Sequence, residues 1–325
     1  MSVPEISVLL VGIGPMARHH AKVLAGLGIS FCALSPSGQN AEQFAGEFGV
    51  EVLTGPVLAQ TDAVMDRFSH AIIVTPVTAL ADATRDLVTH GVPNILVEKP
   101  GAITPGELQT LHDDCDGKAD IYIAYNRRFY ASVLAAEKYI AEDGGVISAL
   151  FEFSEFSAAI EKIGHDPRVL ESWYYANSTH VTDMAFSLIG SPVKLDAFVD
   201  GELDWHPTAA RFAGHGKSDK GVMFNYFAEW DSAPRWQVIL YTGSRALIFQ
   251  PLEALRYRTR DGFEEFEVEL PDDLDSRYKA GLYRQARAFL YGEDRGRLMT
   301  LRDNLDHLAF HRIIADGGKF ERNHG

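Results

Sequence analysis

The chain has 325 residues, 46% hydrophobic and 23% charged, a globular balance that excludes wholesale disorder and suggests two domains. Lys plus Arg number 30 against 45 Asp plus Glu, giving a net charge of −15, so nucleic acid and anionic membrane surfaces are poor expected partners. Two cysteines, Cys32 and Cys115, leave no disulfide framework and fit a reducing, cytoplasmic setting. No apolar stretch approaches the roughly 20 residues of a membrane span.

In chain order, the first third alternates strand and helix signals. Residues 6–11 form a continuous apolar run, as in a strand buried on both faces. Gly12 to Gly14 make a turn, and residues 17–27 carry apolar side chains at helical spacing up to Gly28. Strands are predicted again at 31–34, 70–74, 94–97 and 121–125, with helices at 39–48, 80–89 and 105–112. Thr104 is placed to cap the last of these, with Glu107 three residues on as in a capping box. Repeated β-α units predict an N-terminal Rossmann fold, a doubly wound parallel sheet, over residues 1–122.

After Asn126 the pattern changes. A helix is predicted over 130–141. Period-two segments follow at 146–156, 193–203, 222–230, 236–241, 246–249 and 263–270. They predict an open, mainly antiparallel sheet with one covered face, in an α+β domain over residues 123–325. Residues 172–188, 278–291 and 301–315 read as helices.

Gly12-Ile13-Gly14-Pro15-Met16-Ala17 fits the G-x-G-x-x-G/A turn. The first glycine makes the turn, the second admits a pyrophosphate, and the small last residue lets helix pack on strand. The helix start supplies free N–H donors. A dinucleotide is therefore the expected cofactor. An acidic residue usually follows about 20 residues later to bind the adenosine ribose. Here Leu34-Ser35-Pro36-Ser37-Gly38 holds no carboxylate. Ser35 and Ser37 are candidates to donate to a ribose 2′-phosphate, a slight lean to NADP over NAD. Val97-Glu98-Lys99-Pro100 follows a predicted buried strand, so Lys99 lies on the edge where open α/β sheets bind ligands. A lysine beside an oxidised nicotinamide is well suited to exchange a proton with a substrate hydroxyl.

Taken in order, Gly12-x-Gly14 with His20, Thr75-Pro76, Glu98-Lys99-Pro100, Tyr125-Asn126-Arg127-Arg128-Phe129 and His180-x-x-Asp183 resemble the glucose–fructose oxidoreductase / inositol dehydrogenase (Gfo/Idh/MocA) family. The resemblance implies an NAD(P)-dependent oxidoreductase. It would move hydride between nicotinamide and a carbinol carbon of a sugar, cyclitol or sugar derivative, a nucleotide or amino sugar included. It implies that Lys99 and His180 are catalytic, and that Gly12, Ile13, Gly14, Pro15, Met16, Thr75, Pro76, Glu98, Lys99, Asn126 and Arg127 line the cofactor. It also implies a homodimer or homotetramer through the C-terminal sheet. An NAD-dependent glycosidase without net redox and a non-catalytic dinucleotide sensor are the alternatives.

One position departs from the resemblance. Many such dehydrogenases carry an Asp four residues before the histidine; here Ala176 stands there. Asn177 hydrogen-bonds but is no base, and Asp183 is a candidate to orient His180 from three residues beyond it. On the substrate side, Lys99, Arg127, Arg168, Trp173, Asn177 and His180 are the candidate binding residues. Aromatic faces stack on sugars, and cations hold carboxylate or phosphate. Tyr226, Trp230 and Trp236 read as sheet packing. His307 and His311 have metal-ligand spacing but no third ligand. Gly214-His215-Gly216-Lys217-Ser218 echoes a phosphate loop with Arg211 where its first glycine must be. No metal site is expected.

Overall fold

A computed structural model describes residues 6–322, and the chain divides into two compact units. The first contains Met1–Asn126 and Ser276–Leu305; the second contains Arg127–Asp275 and Asp306–Gly325. The stretch Ser276–Leu305 thus belongs with the first unit, whereas the sequence reading assigned everything after residue 122 to the second.

In the first unit, parallel strands β1 (Val8–Val11), β2 (Phe31–Ser35), β3 (Val52–Thr54), β4 (His70–Ile73), β5 (Asn94–Val97) and β6 (Asp120–Ile123) line up as β3-β2-β1-β4-β5-β6. Met299–Thr300 adds an antiparallel edge beside β6. β1 is buried at every residue, as its continuous apolar run requires. The sequence reading passed over β3 and Met299–Thr300. They are three and two residues long, too short for a periodic signal. Thr104 caps the helix Pro105–Cys115, its hydroxyl accepting the Glu107 N–H at 3.2 Å. The Glu107 carboxylate reaches one residue further back than a capping box, to the Ile103 N–H at 3.1 Å.

A core cluster explains why a late helix returns to this unit. Val23 of the helix Pro15–Gly26 packs with Leu282 and Ala286 of Leu282–Tyr291, and Met16, Leu27 and Tyr278 close around them. Gly26 is small because the Tyr278 hydroxyl lies where a Cβ would go.

The second unit is built on a nine-stranded sheet. Its strands are β7 (Val146–Ser154), β8 (Pro192–Asp200), β9 (Arg211–Ser218), β10 (Met223–Glu229), β11 (Arg235–Thr242), β12 (Arg245–Phe249), β13 (Arg256–Thr259) and β14 (Phe266–Glu267). The order is β14-β13-β12-β11-β7-β10-β9-β8, closed by Gly318–Glu321 on β8. Only the β7–β10 pair is parallel. Phe151, Phe153, Phe224 and Tyr226 line the inner face, and Phe186 of the helix Thr179–Ile189 packs on Phe151 and Phe224. β9 lacks apolar alternation because its inner positions include Gly214 and Gly216. The Tyr226 ring and the Lys194 carbonyl occupy the room a side chain would need there. The resemblance of this segment to a phosphate loop is thus a packing requirement.

Candidate active site

The turn after β1 demands glycine at its first position. Gly12 has φ +106°, and a Cβ there would lie 2.9 Å from the Val74 carbonyl oxygen. Gly14 is glycine for another reason: a Cβ there would meet nothing within 4 Å, so its absence leaves open room for a ligand. Pro15 occupies the first helical turn, no side chain caps the helix, and no acidic residue sits in that turn. Its N–H groups and positive dipole end therefore remain available to an anion. Ile13 gives its carbonyl to Arg18 at 3.0 Å. Met16 packs into the core cluster described above, and Ala17 is fully buried.

The same edge of the sheet collects the other cofactor candidates. Ser35 is buried and donates to the Gln39 carbonyl at 3.4 Å, whereas Ser37 is exposed and accepts the Gln39 N–H at 3.3 Å. Beyond β4, the Thr75 hydroxyl oxygen is buried without a hydrogen-bond partner, beside exposed Pro76. Beyond β5, the Glu98 N–H donates to the Ile73 carbonyl at 2.9 Å, and its carboxylate lies 3.5 Å from His20 Nε2. Half-buried Lys99 follows, joined to Pro100 by a cis peptide. Buried Asn304 holds the turn by donating to the Pro100 carbonyl at 3.2 Å; nothing in the sequence singled it out. Asn126 donates to the Ala280 carbonyl at 2.9 Å.

These residues fit a dinucleotide. The space at Gly14 admits phosphate oxygens, the uncapped helix start supplies donors, and the orphaned Thr75 hydroxyl offers a further hydrogen bond to a ligand. Gly12 to Met16 with Thr75 would hold it.

In the second unit, Arg127 and His180 meet a common neighbour. The Arg127 guanidinium lies 5.1 Å from the Trp236 ring centre and 5.8 Å from that of Tyr130. The His180 ring lies 6.2 Å from Trp236. Trp236, read from the sequence as sheet packing, in turn walls a cavity of about 770 Å³ with Pro234, Arg235, Pro251, Glu253 and Arg256. That volume suits a small-molecule ligand. The buried Tyr130 hydroxyl donates to Glu253 at 3.3 Å, and burial, reinforced by Glu253, raises its pKa well above the ordinary phenol value.

Asp183 is paired with a cation. It is gripped bidentately by Arg128, Nε to Oδ2 at 2.9 Å and Nη2 to Oδ1 at 2.6 Å. Asn177 instead donates to both oxygens of Glu155, at 3.1 and 3.0 Å, and Ser178 Oγ donates to Glu155 Oε1 at 2.6 Å. Sequence reasoning missed Glu155. It falls just past β7 in a segment read as plain strand, and only the fold brings it beside residues 177 and 178. Ala176 is buried in the π-helical turn Tyr174–Ser178.

Two further substrate candidates, Arg168 and Trp173, precede the π turn. Arg168 is exposed on the short helix Pro167–Glu171, with Asp166 3.4 Å away. Trp173 is buried edge-on against Trp205, with ring centres 5.8 Å apart. Trp230 and Tyr226 are core residues. His307 faces Ser191 at 3.2 Å, and buried His311 faces the Tyr174 hydroxyl at 2.8 Å.

The family model described as an oxidoreductase family with an NAD-binding Rossmann fold (GFO_IDH_MocA) matches residues 6–125. Among solved structures, the chain is similar to a UDP-N-acetylglucosamine 3-dehydrogenase from Acidithiobacillus ferrooxidans: 18% identity, 96% of this chain and 98% of that one, TM-score 0.72. It is similar to a levoglucosan dehydrogenase in complex with NADH and levoglucosan, at 18% identity over 95% of this chain and 96% of that one, TM-score 0.70. It is also similar to an oxidoreductase from Agrobacterium radiobacter in complex with NAD+, L-tartaric acid and magnesium, at 14% identity over 98% of each chain, TM-score 0.75. Curated proteins return no match. Residues 6–125 therefore match the Gfo/Idh/MocA oxidoreductase family's NAD-binding Rossmann fold, which the first unit carries.

Proposed function

We propose that the protein oxidises or reduces a carbinol carbon of a sugar, cyclitol or sugar derivative with NAD(P). The observation that carries this reading is the joint presence, on one sheet edge, of an open phosphate turn at Gly12–Gly14 and a lysine at the end of β5. The names of the similar structures, two of them dehydrogenases of sugars or nucleotide sugars, support the substrate class.

When bound, the dinucleotide supplies a hydride acceptor or donor at its nicotinamide. In the oxidising direction, Lys99 holds the substrate hydroxyl and His180 takes its proton as the carbinol becomes a carbonyl. Arg127 and Asn177 hydrogen-bond neighbouring hydroxyls, and the Trp236 face packs on the C–H surface of the ring. Trp173 and Arg168 do not share this role, since the indole is spent on Trp205 and the guanidinium stands on an exposed helix. With no carboxylate after β2 to repel a ribose 2′-phosphate, NADP is accepted at least as well as NAD.

Cys32 and Cys115 are both free and buried, in keeping with a reducing, cytoplasmic location; no helix among the described residues is long and apolar enough to cross a membrane. Phe198, Met223, Phe227 and Tyr241 are exposed on the outer face of the sheet, and this apolar face joins copies of the chain in a homo-oligomer.

The test is reduced-nicotinamide absorbance over a panel of sugars, cyclitols and nucleotide sugars with each cofactor. Turnover that vanishes in Lys99→Ala supports the reading. Substrate cleavage with no reduced cofactor accumulating, or cofactor binding with no chemistry across the panel, overturns it.

A further inference from the structure

Glu155 is an acidic side chain only 4% exposed. Burying a carboxylate is costly unless hydrogen bonds or a counter-charge compensate. Three neutral contacts do so here: the Asn177 amide to both oxygens and the Ser178 hydroxyl to one. Donors of this kind stabilise the charged form. Asn177 and Ser178 end the five-residue π turn Tyr174–Ser178, and His180 lies in the first turn of the helix that continues it. π turns are rare and concentrate at functional sites. Here the wider turn presents two consecutive side chains to one carboxylate. Of the four helix positions three or four residues from His180, 176, 177 and 184 are Ala, Asn and Met, and Asp183 is paired with Arg128.

We propose that Glu155 is the positioning carboxylate of His180. Anchored through Asn177 and Ser178, it fixes the turn that aims the imidazole and supplies the negative charge that stabilises the imidazolium formed when His180 accepts a proton. Ala176 cannot do this, so a strand residue does it in place of a helix residue. The proposal rests on His180 handling the substrate proton.

The test compares native protein, Glu155→Gln, Ser178→Ala, His180→Asn and the double variant Glu155→Gln/Ala176→Asp, all as the full chain. Glu155→Gln is expected to lower kcat at least tenfold with KM changed less than about twofold and NADH affinity unchanged, and adding Ala176→Asp to restore most of it. Ser178→Ala, which removes one donor and leaves the carboxylate in place, is expected to lose severalfold in kcat and covers the case in which Glu155→Gln does not fold. Native kcat in Glu155→Gln or Ser178→Ala overturns the proposal, as does a Glu155→Gln loss that Ala176→Asp fails to recover. The His180 ring-proton NMR resonances, assigned by their absence in His180→Asn, are expected to move in Glu155→Gln at fixed pH. Unmoved resonances overturn the proposal whether or not a substrate is known. Full turnover in His180→Asn instead overturns the reading on which the proposal rests, and the resonance shift still reports on Glu155 alone.

Discussion

Lys99 and His180 make different demands on their surroundings. Lys99 needs a fixed backbone, which the Asn304 bond to the Pro100 carbonyl provides. Lys99→Ala is expected to reduce kcat/KM by about 10²–10³-fold, the usual span for a lost hydrogen-bond donor at the reacting oxygen, while fluorescence titration shows NADH bound within about threefold of native, since the phosphate turn is untouched. Arg128 and Asp183 form a buried pair, with side chains 13% and 1% exposed. Replacing one partner strands the other's charge. Arg128→Met is expected to cost about 3–5 kcal/mol in denaturant unfolding; a loss under about 1 kcal/mol would show that water reaches Asp183. Lys99 and His180 stand out as candidates in the sequence because their motifs are short and local. Glu155 and Asn304 do not: each acts on a residue more than 20 positions away in the chain, and no local pattern marks a contact of that kind.

At the scale of the element, the two glycines of the phosphate turn separate folding from binding. Gly14→Ala adds a methyl into open space at an ordinary φ of −73°. It is expected to leave the thermal midpoint within about 2 °C of native, a surface-like effect, and to weaken NADH binding by about tenfold or more as the methyl meets the phosphates. Gly12→Ala forces a Cβ against the Val74 carbonyl at positive φ. It is expected to lose binding and also about 1–3 kcal/mol of stability. Equal melting of the two variants would refute this distinction. Strands with continuous apolar runs, such as β1, were legible. β9 was not, because glycines under Tyr226 and against Lys194 replace the apolar alternation that marks a strand.

Across the whole molecule, two properties belong to no single site. Burial, with help from Arg295, lowers the pKa of His70 to about 4, and burial lowers those of His206 and His311 as well. These groups are neutral when folded and protonate on unfolding below about pH 6.5. The unfolded state then binds more protons, so stability falls as pH drops from about 6.5 towards 4, by up to about 1.4 kcal/mol per pH unit for each histidine. Thermal melts across that range should show the decline, and His70→Gln should flatten it. The second property is the apolar outer face of the sheet. Against the proposed homo-oligomer, Phe198→Glu with Phe227→Glu is expected to sediment as a monomer; an unchanged sedimentation coefficient overturns an interface on this face.

The sequence by itself determined the cofactor class, the Rossmann topology of the first unit and the place of Lys99 directly after β5. Phosphate turns and buried parallel strands are written in consecutive residues, by glycine stereochemistry and by burial on both faces. Tertiary structure alone decided that the helix Leu282–Tyr291 packs on Val23 in the first unit, that Trp236 faces both Arg127 and His180, and that Glu155 is held by Asn177 and Ser178. These are contacts between residues tens to hundreds of positions apart. Hydrophobic burial and the need to satisfy buried polar groups select them only once the chain is compact.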